Sequence, residues 1–214
     1  STSSPPYQAL IKINGKNLIV PSWRFIAQNG IWAYVSSDNP LGLNYRPKDL
    51  VDINVRHGDW LPNKTIRKIA QNDIAQLFKA ASGDGIELIV SSAYRTLEDQ
   101  ELIYEQSYGN GLAATPTNSE HQTGLAVDIT TYSSACQLSF DACAIDDQTI
   151  DWLKNNSYKY GFILRYPEDK ADKTGILYEP WHYRYVGRYL AKFLHSNGLT
   201  FDEVSVELLS VKKS

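Results

Sequence analysis

Apolar residues recur along the chain with two different periods, and the switches between them mark the elements. From about Thr65 to Ala81, the residues Ile66, Ile69, Ala70, Ile74, Leu77, Phe78 and Ala81 fall at three- and four-residue intervals. That spacing makes one apolar stripe and predicts an amphipathic helix, which GDG at 83–85 stops. IELIVSSAYR (86–95) then reads as a strand whose end delivers polar side chains. Further helices are predicted over Leu97–Tyr108, about 147–157 and about 187–197. GLAVDIT (124–130) reads as a central strand, YGFILRY (160–166) as another, and ILYEPWHYRYV (176–186) as an aromatic-rich extended segment. Residues 8–36 alternate short apolar runs with turn signals, which predicts two or three short strands with a turn near Asn29-Gly30. NPLGLNYRP (39–47) and residues 109–120 are rich in breakers and predict loops. Strands and helices interleave at irregular, hairpin-like spacings. We therefore expect an α+β fold, with a central, mostly antiparallel sheet flanked by helices.

Composition narrows this picture only a little. The 214 residues can form one large domain, or one domain with a small appendage, and 43% hydrophobic content suits a packed core. A net charge of −3 is too small to argue for nucleic acid as a partner. No apolar run approaches the roughly 20 residues needed to span a bilayer, so no integral membrane segment is expected. STSSPP at the start reads as a linker stub. The chain contains no methionine, so we expect a signal or anchor segment to have been removed ahead of it. The expected organisation is a stub at 1–6, a strand-rich extension at 7–38, a main domain at 39–208 and a tail at 209–214. Cys136 and Cys143 lie inside SSACQLSFDACA with no histidine nearby, too few ligands for a structural zinc site. A short-loop disulfide is expected, in keeping with an oxidising compartment outside the cytoplasm.

The candidate chemistry lies with the histidines, of which there are four: His57, His121, His182 and His195. A hydrolytic zinc site needs three ligands of the His, Asp or Glu kind, an open position for water, and a base beside that water. His121 has Asp128 seven residues on, and His182 has Glu179 three residues before it. Asp128 sits in an apolar run (Leu125, Ala126, Val127, Ile129), where a carboxylate is costly to bury unless a cation meets it. Pro180 biases Glu179 towards extended backbone, and on an ideal strand Glu179 and His182 would face opposite ways. For both to reach one metal, the segment must turn or bulge. Taken singly, each residue has an ordinary reading: a solvated loop histidine, a capping or ion-paired aspartate, an aromatic packing corner. Two His–carboxylate pairs in a chain with so few histidines weigh against reading them all that way. His57, in VRHGDW, and His195, near a helix end where it favours the dipole, are expected to have no functional role.

SSAYR (91–95), SEHQTGLAVD (119–128) and EPWHYRYVG (179–187), in that order and at these separations, resemble the VanY-type and LdcB-type zinc carboxypeptidases of peptidoglycan metabolism. These belong to a wider group with the VanX D-alanyl-D-alanine dipeptidases and the hedgehog-like fold. The resemblance spans roughly residues 40–203 and includes YKYGFILRYP (158–167). It implies a hedgehog/D-Ala-D-Ala-peptidase-like fold and a zinc ion held by His121, Asp128 and His182. Glu179 would be the general base, and Arg95 would meet the scissile carbonyl or the developing oxyanion. Ser119, Gln100 and Tyr166 match positions that contact substrate, and Trp181 would shape the pocket floor. Glu120 is not expected to be a catalytic acid. The cysteine-containing stretch departs from the compact family pattern and looks like an inserted loop near the site.

The function implied is removal of C-terminal D-alanine from peptidoglycan stem peptides. SEHQTG, YGFILRYP and EPWHYRYVG lean it towards L,D-cleavage of tetrapeptides over D,D-cleavage of pentapeptides. An endolysin-like endopeptidase and a zinc- and muropeptide-binding module without turnover are the alternatives. The intact Glu179 argues against the binding module. A monomer acting at the bacterial cell surface or in the periplasm is expected.

Overall fold

A computed structural model describes residues 9–107 and 114–212. The stub expected at 1–6, part of the loop expected at 109–120 and the end of the tail lie outside the described residues. The chain opens with a hairpin of β1 (Ala9–Ile13) and β2 (Lys16–Val20), followed by the single turn α1 (Trp23–Ile26). β3 (Leu50–Asp52) and β4 (Thr65–Arg67) form a second small ladder, and α2 (Lys68–Gly83) continues directly from it. β5 (Leu88–Ser92), α3 (Leu97–Gln106), β6 (Ala126–Thr131), the short α4 (Ser134–Leu138) and α5 (Asp147–Asn156) follow. Then come β7 (Phe162–Leu164), the turn α6 (Ala171–Thr174), β8 (His182–Tyr185), α7 (Gly187–Asn197) and α8 (Phe201–Lys212).

The main sheet has the order β5-β6-β8-β7, and every ladder in it is antiparallel, as the interleaved pattern led us to expect. β6 pairs with β5 over Asp128–Thr131 and with β8 over Ala126–Asp128, so the two ladders overlap at Asp128. Val90, Val127, Ile129 and Tyr183 project from this sheet into a core shared with Ile66, Ala70, Ile74, Leu77 and Ala81. These last five are the buried part of the stripe read from the sequence. Ile69 of that stripe is exposed, and Thr65–Arg67 pair with β3 as strand, so the helix starts three residues later than its periodicity suggested. A second core lies under the hairpin, where Leu18, Val20 and Trp32 meet Val186, Leu190, Phe201 and Val204.

Two regions differ from expectation for identifiable reasons. The hairpin turn falls at Asn14-Gly15, both at positive φ, which suits an Asn-Gly hairpin turn. Residues 22–36 form no third strand of the expected kind. Their backbone instead serves side chains, since the Ile31 and Ala33 carbonyls accept from Arg184 while the Trp32 indole donates to the Val186 carbonyl. α8 was not expected, yet Thr200 and Glu203 cap it reciprocally: each side chain accepts the other residue's backbone N–H.

Cys136 and Cys143 form the expected disulfide. It ties α4 to the segment after it, and the Cys136 carbonyl accepts the Trp60 indole at 2.9 Å. Closing so short a loop removes unfolded-state entropy corresponding to about 2.5 kcal/mol. Replacing both cysteines by alanine should lower unfolding stability by about that amount in a denaturant titration. An unchanged midpoint would show that the bridge does not constrain the unfolded chain.

Candidate active site

Segments distant in sequence meet beside the middle of β6. Asp128 is paired across the ladder with Ser92 on one side and His182 on the other. β5 carries an irregularity between Val90 and Ser92, after which the chain leaves the sheet towards Arg95. Thr96 then starts α3 with a capping box closed by Asp99. His121 is held in a 3-10 turn, Glu120–Thr123, that ends on Gly124 at φ 67°. At this positive φ a side chain would be strained, so the turn needs glycine for its backbone. The Arg95 N–H donates to the His121 carbonyl at 3.2 Å, locking the two loops together.

The turn expected between Glu179 and His182 is present, since the His182 N–H donates to the Glu179 carbonyl at 3.1 Å across Pro180-Trp181. It brings Glu179 Oε2 to 3.7 Å from His182 Nδ1, a closeness that a straight strand would not permit.

The geometry at Asp128 suits a metal. His121 Nε2 lies 3.3 Å and His182 Nδ1 3.2 Å from Asp128 Oδ1, and all three residues are buried. Asp128 Oδ1 is itself buried yet makes no hydrogen bond among the described residues, a costly state that a cation would relieve. One ligand atom from each residue lies within 4.8 Å of the others. His121 Nδ1 is 2.8 Å from the Ala93 carbonyl, an oxygen that can only accept. The proton therefore sits on Nδ1, and Nε2 is left with a lone pair turned towards Asp128. Two imidazole nitrogens and one carboxylate oxygen make a donor set that zinc accepts, with a further position left open.

Burial and the neighbouring charges together act in opposite directions on the two histidines. Burial, together with the Arg95 charge, lowers the His121 pKa to about 4 and keeps the ring neutral. His182 is also buried, but the Asp128 and Glu120 carboxylates outweigh that and raise its pKa to about 9. Burial raises the Glu179 carboxyl as well, with the Asp128 charge adding to the shift and His182 opposing it.

The other sequence-predicted residues divide. Arg95 donates to Ser92 Oγ at 2.7 and 3.0 Å and to Gln100 Oε1 at 3.3 Å, with its Nη2 3.4 Å from Asp128 Oδ2. Gln100 is buried and anchored to the Ala114 carbonyl. The Tyr166 ring lies 5.0 Å from the His182 ring, and Ser119 is buried immediately before the 3-10 turn. Trp181 is 39% exposed within the Pro180-Trp181 turn. His57 hydrogen-bonds the Val55 carbonyl and His195 stacks on Tyr158.

Sequence reasoning missed the charges behind the site. Glu120 is buried against Arg165 Nε at 2.9 Å and Arg184 Nη1 at 2.8 Å, and its other oxygen is 3.4 Å from His182 Nε2. Burial alone would raise its carboxyl, but the two guanidiniums hold it well below the usual carboxylate range. Arg184 Cζ also lies 5.3 Å from the centre of the Phe201 ring. The one available signal was two arginines inside otherwise apolar, strand-forming stretches, where a charge requires a partner.

Comparison with known proteins agrees with this geometry. The VanY family, described as D-alanyl-D-alanine carboxypeptidase, matches residues 63–188. A putative carboxypeptidase of Bacillus subtilis, YodJ, is 38% identical over 182 residues, 81% of this chain and 66% of that protein. The chain thus spans just under two thirds of that relative's length. Among solved structures, the LdcB LD-carboxypeptidase, described in terms of peptidoglycan recognition, superposes with a TM-score of 0.71 at 35% identity, covering 95% of each chain. The vancomycin-resistance D,D-pentapeptidase VanY, solved as a glutamate-to-alanine mutant in complex with Zn(II), gives a TM-score of 0.67 at 33% identity. That match covers 85% of this chain and 98% of the other.

Proposed function

The chain belongs to the VanY family of D-alanyl-D-alanine carboxypeptidases, and from that membership we propose a zinc-dependent enzyme that removes C-terminal D-alanine from peptidoglycan stem peptides. The observation that carries this reading is the buried His121–Asp128–His182 cluster with Glu179 at its edge. His121 Nε2, Asp128 Oδ1 and His182 Nδ1 would hold the zinc. Zinc there would supply a water whose pKa falls from about 15.7 to about 7, and would polarise the scissile carbonyl.

The chain's own residues do the rest. Glu179, with a carboxyl raised by burial, takes the proton from the attacking water and passes it to the leaving amine. Arg95 is held by Ser92 and Gln100 with its guanidinium towards the cluster, where it stabilises charge on the carbonyl oxygen. Tyr166 packs against His182, and Ser119 lies beside the turn that carries His121, which supports assigning both to substrate contact. Replacing Arg95 by alanine should lower kcat by about 100- to 1000-fold with zinc content unchanged, as measured by steady-state alanine release. A change confined to KM would make Arg95 a binding residue only.

Between the two cleavage types we favour L,D-cleavage of tetrapeptides, because the likeness to the LD-carboxypeptidase extends over 95% of both chains. The family description and the D,D-pentapeptidase neighbour support D,D-cleavage of pentapeptides as the second reading. Purified protein incubated with defined tetrapeptide and pentapeptide muropeptides, with products read by mass, separates them. Loss of one alanine from the tetrapeptide supports the first reading. Loss from the pentapeptide alone replaces it with the second.

A peptidoglycan substrate and the Cys136–Cys143 disulfide both support action outside the cytoplasm. No helix among the described residues is long and apolar enough to cross a membrane.

A further inference from the structure

Glu120 lies next in sequence to His121, but its carboxylate reaches the other histidine of the cluster. Oε1 takes both arginines, accepting from Arg165 Nε at 2.9 Å and from Arg184 Nη1 at 2.8 Å. That leaves Oε2 facing His182 Nε2 at 3.4 Å. A carboxylate held ionised by two buried guanidiniums can only accept, so the His182 ring nitrogen opposite it has to carry the proton. With one proton held on Nε2, Nδ1, the atom that stands 3.2 Å from Asp128 Oδ1, is the nitrogen that gives up its proton when a metal binds.

The carboxylate itself is held from both ends of the chain. Arg165 also binds Asp202 of α8 through both terminal nitrogens, with Nη2 at 3.0 Å from Oδ1, and the Tyr34 hydroxyl donates to the same Asp202 oxygen at 2.9 Å. Arg184 donates to the Ala33 carbonyl at 2.7 Å. Asp202, Tyr34 and Ala33 all lie outside residues 63–188, the part matched by the family.

We infer that Glu120 is a positioning residue: it fixes the tautomer of His182 so that Nδ1 faces the metal. Arg165, Arg184, Asp202 and the 31–34 segment hold Glu120 in place for that task. The inference rests on the zinc reading above. Histidine ligands commonly donate their second nitrogen to a carboxylate, and loss of that partner weakens metal binding. Glu120→Gln is the informative change because it keeps the shape. The new amide must turn its oxygen towards the two guanidiniums, which puts its NH2 against His182 Nε2. The ring then has to accept at Nε2 and carry its proton on Nδ1, where it blocks the metal.

The test is a zinc titration of the chelator-stripped full chain against a competing chelator, comparing parent and Glu120→Gln at matched folding by circular dichroism. Glu120→Gln should bind zinc about 10- to 100-fold more weakly than the parent. Affinity within twofold of the parent overturns the inference and leaves the zinc reading intact. A parent that fails to bind zinc removes both. If Glu120→Gln does not fold, the decision passes to the 15N–1H histidine spectrum of the zinc-loaded parent. A slowly exchanging proton on His182 Nε2, with Nδ1 bare, supports the role. Zinc on Nε2 with the proton on Nδ1 overturns it.

Discussion

Replacing Glu179 by alanine lowers kcat by about 100- to 10,000-fold while zinc stays bound. The expectation follows from where Glu179 sits. Its Oε2 is 3.7 Å from His182 Nδ1, near enough to serve a water at the metal, while the three closer atoms of His121, Asp128 and His182 already form a ligand set. Removing the carboxylate takes away the only proton acceptor assigned to the attacking water but none of the metal's ligands. Burial raises the Glu179 carboxyl towards the range in which a base both accepts and returns a proton near neutral pH. The measurement pairs steady-state alanine release with zinc content of the same sample. Retained zinc with activity lost is the expected pair. Loss of zinc would move Glu179 into the ligand shell and end its assignment as the base.

Asp128→Asn has the second large effect, and it acts on metal binding. It removes the anionic ligand while keeping side-chain volume, so zinc affinity should fall by more than about 100-fold, beyond the loss typical of an outer-shell partner. The fold should survive, because among the described residues Asp128 Oδ1 makes no hydrogen bond, and the asparagine oxygen can still accept from Arg95 Nη2, which lies 3.4 Å from Asp128 Oδ2. The two effects separate in a thermal melt. Zinc at about 100 times its Kd stabilises a native protein by about 2.7 kcal/mol. In a domain of this size that corresponds to a rise in Tm of about 5–10 °C. The parent should show that rise on adding zinc and Asp128→Asn should not, with similar melting temperatures in chelator. Equal zinc-induced shifts would place the metal elsewhere.

The His121–Asp128–His182 cluster was legible in the sequence because two His–carboxylate pairs stand in a chain with only four histidines. Taken singly, the carboxylate in the apolar run around Asp128, the histidine ahead of a turn glycine and the Glu-Pro-Trp-His corner each have an ordinary reading, and only their combination points to a metal. The α2 stripe was legible for a different reason, since Ile66, Ala70, Ile74, Leu77 and Ala81 obey burial and fill the core. The charges behind the site were not legible. Glu120, Arg165, Arg184 and Asp202 are separated by up to 82 positions and compensate one another only after the chain has folded. Read singly, Glu120 and Asp202 look like solvated surface charges, and the two arginines in apolar stretches signal a partner without naming it. Residues 22–36 misled because their apolar alternation suits a strand, whereas Trp32 is buried against α7 and the neighbouring carbonyls are taken by Arg184. The Thr200–Glu203 capping box could have been read from the sequence, as a Thr with Glu three residues on before an apolar run.

The most direct measurement is alanine release from a defined muropeptide by the chelator-stripped protein, before and after zinc is restored, with every product identified by mass. A zinc carboxypeptidase with this site releases one alanine per peptide after zinc is returned and none before. Equal release without zinc, or cleavage at an internal bond of the stem peptide, would contradict it.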